Sequence, residues 1–169
     1  MVHKKNVFMI IAVLAIVFVL SSCNKESDTT DAITTASIVN TPEDFRRAIS
    51  SDGTWIVAIL EDMDFDKEII IDGDFTRNDE LYRKLAFYTQ DENRKVTARY
   101  TLSAPKMVVR SPNTRIQSGI FKGDVYVEAT GFHLVDAVVE GNIIFSSQEY
   151  LDSFSTDETS RVTGSVALN

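Results

Sequence analysis

The chain has 169 residues and carries 17 Lys+Arg against 25 Asp+Glu, a formal net charge of −8. So acidic a surface repels nucleic acid and anionic headgroups. A single cysteine excludes an internal disulfide framework, and two histidines leave little from which to build a metal site or an acid–base pair.

Taken in order, the chain opens on a targeting segment, Met1–Cys23. His3, Lys4 and Lys5 form a basic start, and Val7–Leu20 is almost wholly apolar. That run of about 14 residues is short of the roughly 20 a transmembrane helix requires. It ends in Leu20-Ser21-Ser22-Cys23, which resembles a bacterial lipobox, and the lone cysteine stands where a lipobox needs it. The resemblance implies that residues 1–22 are a lipoprotein signal peptide and that Cys23 is acylated as the first residue of the mature chain. No thiol then remains for metal binding or catalysis. Without Lys4 and Lys5, 15 basic residues face 25 acidic ones, a net charge of −10, so membrane attachment is expected from the lipid rather than from charge.

Asn24–Asn40 is rich in Ser, Thr, Asp and Asn, with few large apolar residues and no period, so residues 23–40 are expected to be a disordered tether. Thr41-Pro42-Glu43-Asp44 then reads as a helix start, with Thr41 as N-cap, Pro42 in the first turn and carboxylates complementing the dipole. Phe45, Ala48 and Ile49 share one face, and Asp52-Gly53 is the expected stop. This short helix is expected to lie as a lid over the first turn of the domain, whose first strand is expected at Trp55–Leu60.

Glu61–Glu68 alternates Asp62, Asp64 and Asp66 with Met63 and Phe65. A calcium loop counted from Asp62 would need Gly and Glu where Lys67 and Gly73 stand, so the pattern predicts a half-buried strand with its carboxylates in water. Ile69–Ile71 is the next strand, and the polar stretch Asp74–Leu81 interrupts. Lys84–Gln90 and Lys95–Leu102 are strand-like and flank a turn-rich Asp91–Arg94; they fit either a projecting hairpin or two sides of one turn.

Asn113–Gln148 is one unit written twice. With the first copy laid on the second, Ile116 falls on Leu134, Gly119 on Ala137, Phe121 on Val139, Gly123 on Gly141, Asp124 on Asn142, Val125 on Ile143 and Val127 on Phe145. Met107–Val109 precedes Val125–Val127 at the same offset. Val162–Leu168 carries the pattern a third time, delayed by a Ser147–Phe154 insert that reads as a short helix. Alternating apolar residues at this period, with no helical spacing, predict an all-β solenoid: a single parallel β-helix domain, 41–169, with turns of about 18 residues and a short N-terminal capping helix. Val125, Val127, Ile143 and Phe145 are expected inside and Glu128 outside. Gly123 and Gly141 mark bends where a positive φ is expected.

Catalytic signatures are absent: there is no P-loop, dinucleotide fingerprint or Gly-x-Ser-x-Gly. His133 aligns with Arg115 and is expected to face solvent. Tyr82, Tyr88, Tyr100, Tyr126 and Tyr150 offer faces for sugar stacking, although a strand tyrosine ordinarily packs with its hydroxyl in water. The sequence points to no catalytic, cofactor or metal residue.

Gly-x-Phe-x-Gly-Asp-Val at 119–125 and Ala-x-Val-x-Gly-Asn-Ile at 137–143 resemble the coils of bactofilin-type, polymer-forming β-helix proteins over residues 107–146 and 162–168. The resemblance implies a right-handed solenoid without cofactor and self-assembly through its ends, of which the lid would block one and leave the C-terminal end free. The leading expectation is a lipid-anchored, non-catalytic structural or binding module on a bacterial envelope, meeting a cell-wall glycan or an envelope protein and no nucleic acid. The alternatives are a bactofilin-like polymer and, more distantly, a small glycan-active enzyme.

Overall fold

The computed structural model describes residues 37–169. Cys23, the signal segment and most of the expected tether lie outside the described residues. The described chain is mostly β, with two short helices and two parallel sheets.

The first sheet takes β1 (Ser37–Val39), β2 (Ile56–Ile59), β7 (Arg83–Ala86), β11 (Thr114–Gln117), β13 (His133–Val135) and β16 (Ser155–Thr156), in that spatial order. The second takes β3 (Met63–Asp64), β4 (Ile69–Ile71), β10 (Thr101–Val109), β12 (Ile120–Val127), β14 (Val138–Glu140), β15 (Ile143–Phe145), β17 (Arg161–Val162) and β18 (Val166–Leu168). The chain alternates between the sheets, and each strand pairs in parallel with its equivalent one pass later. Ile116 pairs with Leu134, Phe121 with Val139 and Val127 with Phe145, the separation of 18 that also joins Arg115 to His133 and Asp124 to Asn142. Val139 pairs with Val162 and Phe145 with Leu168, the longer separation of 23 that also joins Asn142 to Ser165. The extra residues form α2 (Gln148–Asp152), capped by the Ser147 hydroxyl. The repeat read from the sequence is thus the hydrogen-bonding register.

Alternation along these strands builds the core. Phe121, Val125, Val127, Ile143 and Phe145 are all fully buried, while Glu128 is exposed in an ion pair with Arg110. At the bend between the halves of the second-sheet strands, Asp124 Oδ1 accepts from the Asn142 backbone N–H at 2.8 Å, and Asn142 Oδ1 accepts from that of Ser165 at 2.9 Å. The repeat thereby stacks a polar ladder as well as an apolar one. Gly123 has a φ of +136°, as expected of a bend. Gly141 has no positive φ; it is glycine because a Cβ there would strike the Gly123 carbonyl of the neighbouring strand. Close approach, not backbone handedness, decides that position.

Three expectations are corrected. Ser37–Val39 falls in the segment expected to be tether, yet it forms the first strand: it pairs with β2, and Val39 is only 4% exposed. So short a segment shows no readable period, and only the neighbouring strand makes it ordered. α1 (Pro42–Ala48) has the expected Thr41 cap, whose Oγ1 accepts from the Asp44 N–H at 3.1 Å, but ends before Asp52-Gly53. The i to i+4 ladder stops after the Ile49 N–H: the Ser50 N–H turns to the Arg47 carbonyl at 3.3 Å, and the Ala48 carbonyl accepts from the Thr54 N–H at 3.3 Å and the Arg83 guanidinium at 2.8 Å. Nor is α1 a lid over a whole first turn. It covers the free side of β3 and β4, with Phe45 against Phe65 at 5.4 Å, Arg46 donating to the Glu68 carbonyl at 2.9 Å and Asp72 N–H donating to the Ile49 carbonyl at 2.9 Å. The first sheet instead begins at β1, where Ile38 is 60% exposed.

The interrupting stretches are hairpins. β5 (Thr76–Arg77) pairs antiparallel with β6 (Glu80–Leu81). β8 (Tyr88–Gln90) pairs antiparallel with β9 (Val96–Arg99), so the 84–102 segment supplies a strand to each sheet and a hairpin between them. Beneath the first hairpin, Arg83 is fully buried. Its guanidinium lies 4.1 Å from the Phe75 ring centre, and its Nε and Nη1 lack partners among the described residues. Burial lowers its pKa to about 10, against the opposing field of Asp72.

Candidate functional site

The outer face of the first sheet carries a concentration of positive charge and aromatic rings that the fold assembles from distant positions. Leu85, Ile116 and Leu134 point inward, so their neighbours Lys84, Arg115 and His133 point outward. Lys84 pairs with Arg115 and Arg115 with His133, which makes one row running across three strands, roughly 4.8 Å apart.

Aromatic side chains flank the row. Trp55, ahead of β2, and Tyr82, ahead of β7, meet with ring centres 5.8 Å apart. Arg77 stands opposite Glu80 in its hairpin, yet its guanidinium lies over Trp55 at 5.0 Å and Tyr82 at 5.7 Å. Arg115 lies over Tyr82 at 5.4 Å, and Lys84 Nζ donates to the Tyr88 hydroxyl at 2.9 Å. A cation held over an aromatic ring is attracted by the ring face and keeps N–H groups free for an oxyanion.

His133 is half-buried rather than solvent-facing. Arg115 Nε donates to His133 Nε2 at 2.8 Å, and a guanidinium cannot accept, so Nε2 is the acceptor and Nδ1 carries the proton toward the Gly131 carbonyl at 2.9 Å. Burial lowers its pKa below the usual 6.5, and the Arg115 charge acts in the same direction. The unfolded chain therefore takes up the proton first on acidification. Stability conferred by neutral His133 is complete above 6.5 and falls as pH drops through 6.5 toward the lower folded value. His133→Gln, which retains an acceptor for Arg115, is expected to flatten the urea midpoint between pH 7 and about 5.5 relative to the parent; identical pH slopes would assign the decline to other groups.

At the second sheet three outward cations are paired, while Arg161 on β17 meets no carboxylate among the described residues. Lys106 meets Glu68 at 2.7 Å, Arg110 meets Glu128 at 2.9 Å and Lys122 meets Glu140 at 3.7 Å. The Lys106–Glu68 contact raises the lysine pKa and lowers that of the carboxyl. Among the described residues, Arg77, Lys84 and Arg115 meet no carboxylate at the distance of an ion pair. Like charges side by side on a sheet repel, so this row costs stability that the other sheet avoids.

The remaining candidates resolve into structure. Asp62, Asp64 and Asp66 are exposed, and Asp62 accepts from the Thr101 N–H at 2.8 Å. Tyr100 and Tyr150 pack against the core, and Tyr126 lies under Lys106. At the corner between the sheets, Asp157 accepts from Ser160, Asp136 and Thr159, which holds its carboxyl down at about 2. The Lys84–Arg115 pairing escaped the sequence because the β8–β9 hairpin lies between them and lengthens their offset beyond that of the repeat. The Arg115–His133 alignment was its one visible trace.

Compared with protein-family models, with curated proteins and with solved structures, the chain matches none.

Proposed function

We propose that the protein is a lipid-anchored, non-catalytic binding module of the bacterial envelope. Its mature chain would start at acylated Cys23 and present a right-handed parallel β-helix on a tether that ends just before Ser37. The regular parallel register, two sheets and continuous apolar interior support the β-helix reading. One observation carries the binding role: Arg77, Lys84 and Arg115 gather without carboxylates on a chain whose net charge is −8, while Lys106, Arg110 and Lys122 at the opposite sheet each meet one. Unpaired cations gathered beside aromatic rings leave that face open to a ligand of opposite charge.

A second reading, end-to-end assembly of the bactofilin-like kind, is favoured by a separate observation. Val166 and Leu168 on β18, the last strand of its sheet, are 43% and 47% exposed. An apolar strand edge of that kind is a template for pairing. Electron microscopy separates the two: monomers or end-paired dimers support the module, and extended filaments support the polymer.

The anchor has its own test. Replacing Cys23 with Ser is expected to abolish incorporation of labelled fatty acid and to release the protein from membranes. Undiminished labelling of C23S would sink the lipoprotein reading.

A further inference from the structure

We infer that the outer face of the first sheet binds an acidic glycan whose carboxylates recur once per sugar, laid across the strands along the Lys84–Arg115–His133 row. This deepens the binding-module reading and rests on it.

Donor geometry identifies the charge of the ligand. The Arg77 side chain makes no hydrogen bond among the described residues, and Arg115 spends Nε on His133 and reaches Gln117 Oε1 only at 3.5 Å. Two guanidinium forks, over Trp55 at 5.0 Å and Tyr82 at 5.4 Å, therefore have N–H groups to spare, and the Lys84 ammonium has two protons beyond the one given to Tyr88. Forks of this shape chelate carboxylates.

The polymer class follows from where the row sits. Strands within a sheet are spaced about 4.8 Å apart, close to the length of one pyranose ring, so a uronic acid chain crossing the strands sets two successive carboxylates against Lys84 and Arg115, with neutral His133 beside the next sugar. An acidic peptide fits less well: peptides are commonly gripped through main-chain bonds to a sheet edge, whereas the backbone of β7 and β11 is already paired on both sides.

The test uses the full chain purified in detergent. Binding of hexagalacturonate, monomeric galacturonate, neutral dextran and polyglutamate is measured by calorimetry at two salt concentrations. The hexamer is expected to bind, more weakly at high salt, and well above the monomer. Arg115→Gln and Lys84→Gln are each expected to weaken it by about tenfold, the worth of one charge-assisted hydrogen bond. Lys84→Arg should retain binding, and Lys122→Gln, on the paired sheet, should leave it unchanged. Hexamer binding should also raise the His133 pKa, read by NMR, because an anion beside Arg115 offsets the field that lowers it. Absence of hexamer binding, equal binding of dextran, tighter binding of polyglutamate, or indifference to Lys84 and Arg115 would each overturn the inference. None touches acylation at Cys23, whose failure would be seen in the labelling experiment with glycan binding intact.

Discussion

Gly123→Ala is expected to destabilise the domain by on the order of 4 kcal/mol, adding about 1–3 for an unfavourable backbone conformation to about 1–3 for overpacking. Gly123 has a φ of +136°, and a Cβ there would land on the Ala104 carbonyl of the neighbouring strand. The surroundings cannot give way. The β10–β12 register shifts between Ser103 and Lys106, so Ala104 and Pro105 together oppose this one glycine. A bulge with proline in it is already committed to its geometry, since proline has no N–H with which to re-pair. On the other side, the Gly123 carbonyl lies against Gly141, and the Gly141 carbonyl against Gly164. Displacing one member pushes on the column. Urea unfolding of Gly123→Ala checks this, and a midpoint equal to that of the parent would show that the bend has more room than the structure gives it.

Phe145→Ala is expected to cost about 3–5 kcal/mol, the range for a buried aromatic replaced by alanine. Phe145 is fully buried and lies 5.3 Å from Phe154, which in turn stacks on Phe132 at 5.8 Å. The ring joins the last passes of the chain, pairing with Val127 on one side and Leu168 on the other. Beyond Leu168 little lies to fill a void, because that residue is itself 47% exposed. Val127→Ala removes less volume and should cost less. Glu128→Ala, one residue along, removes an exposed ion pair with Arg110 and should cost under about 1 kcal/mol. The ordering is the point of the experiment: a larger loss for Glu128 than for Val127 would mean that the inside and outside of this strand are exchanged.

What the sequence determined is the part of the molecule written with a short period. Between Met107 and Phe145, a side-chain alternation of two and a constant offset from pass to pass together fix which residues face inward and which strand each pairs with, because a slip of one residue would turn every apolar group to water. The Thr41 cap was legible for a similar reason: the side chain that makes the bond lies three residues from its partner.

Tertiary structure decided everything that depends on residues distant in the chain. The Ala48 carbonyl at the end of α1 finds its partner in Arg83, 35 residues on. Ser37–Val39 is a strand because β2 lies beside it, and Gly141 is glycine because of a carbonyl on the preceding pass. The basic row belongs to the same class. Lys84 meets Arg115 only when the β8–β9 hairpin is folded out from between them, and Arg77 reaches Trp55 only through the β5–β6 hairpin. A local pattern specifies local geometry, whereas an insertion of variable length erases the register on paper and leaves hydrogen bonding between strands to restore it in space.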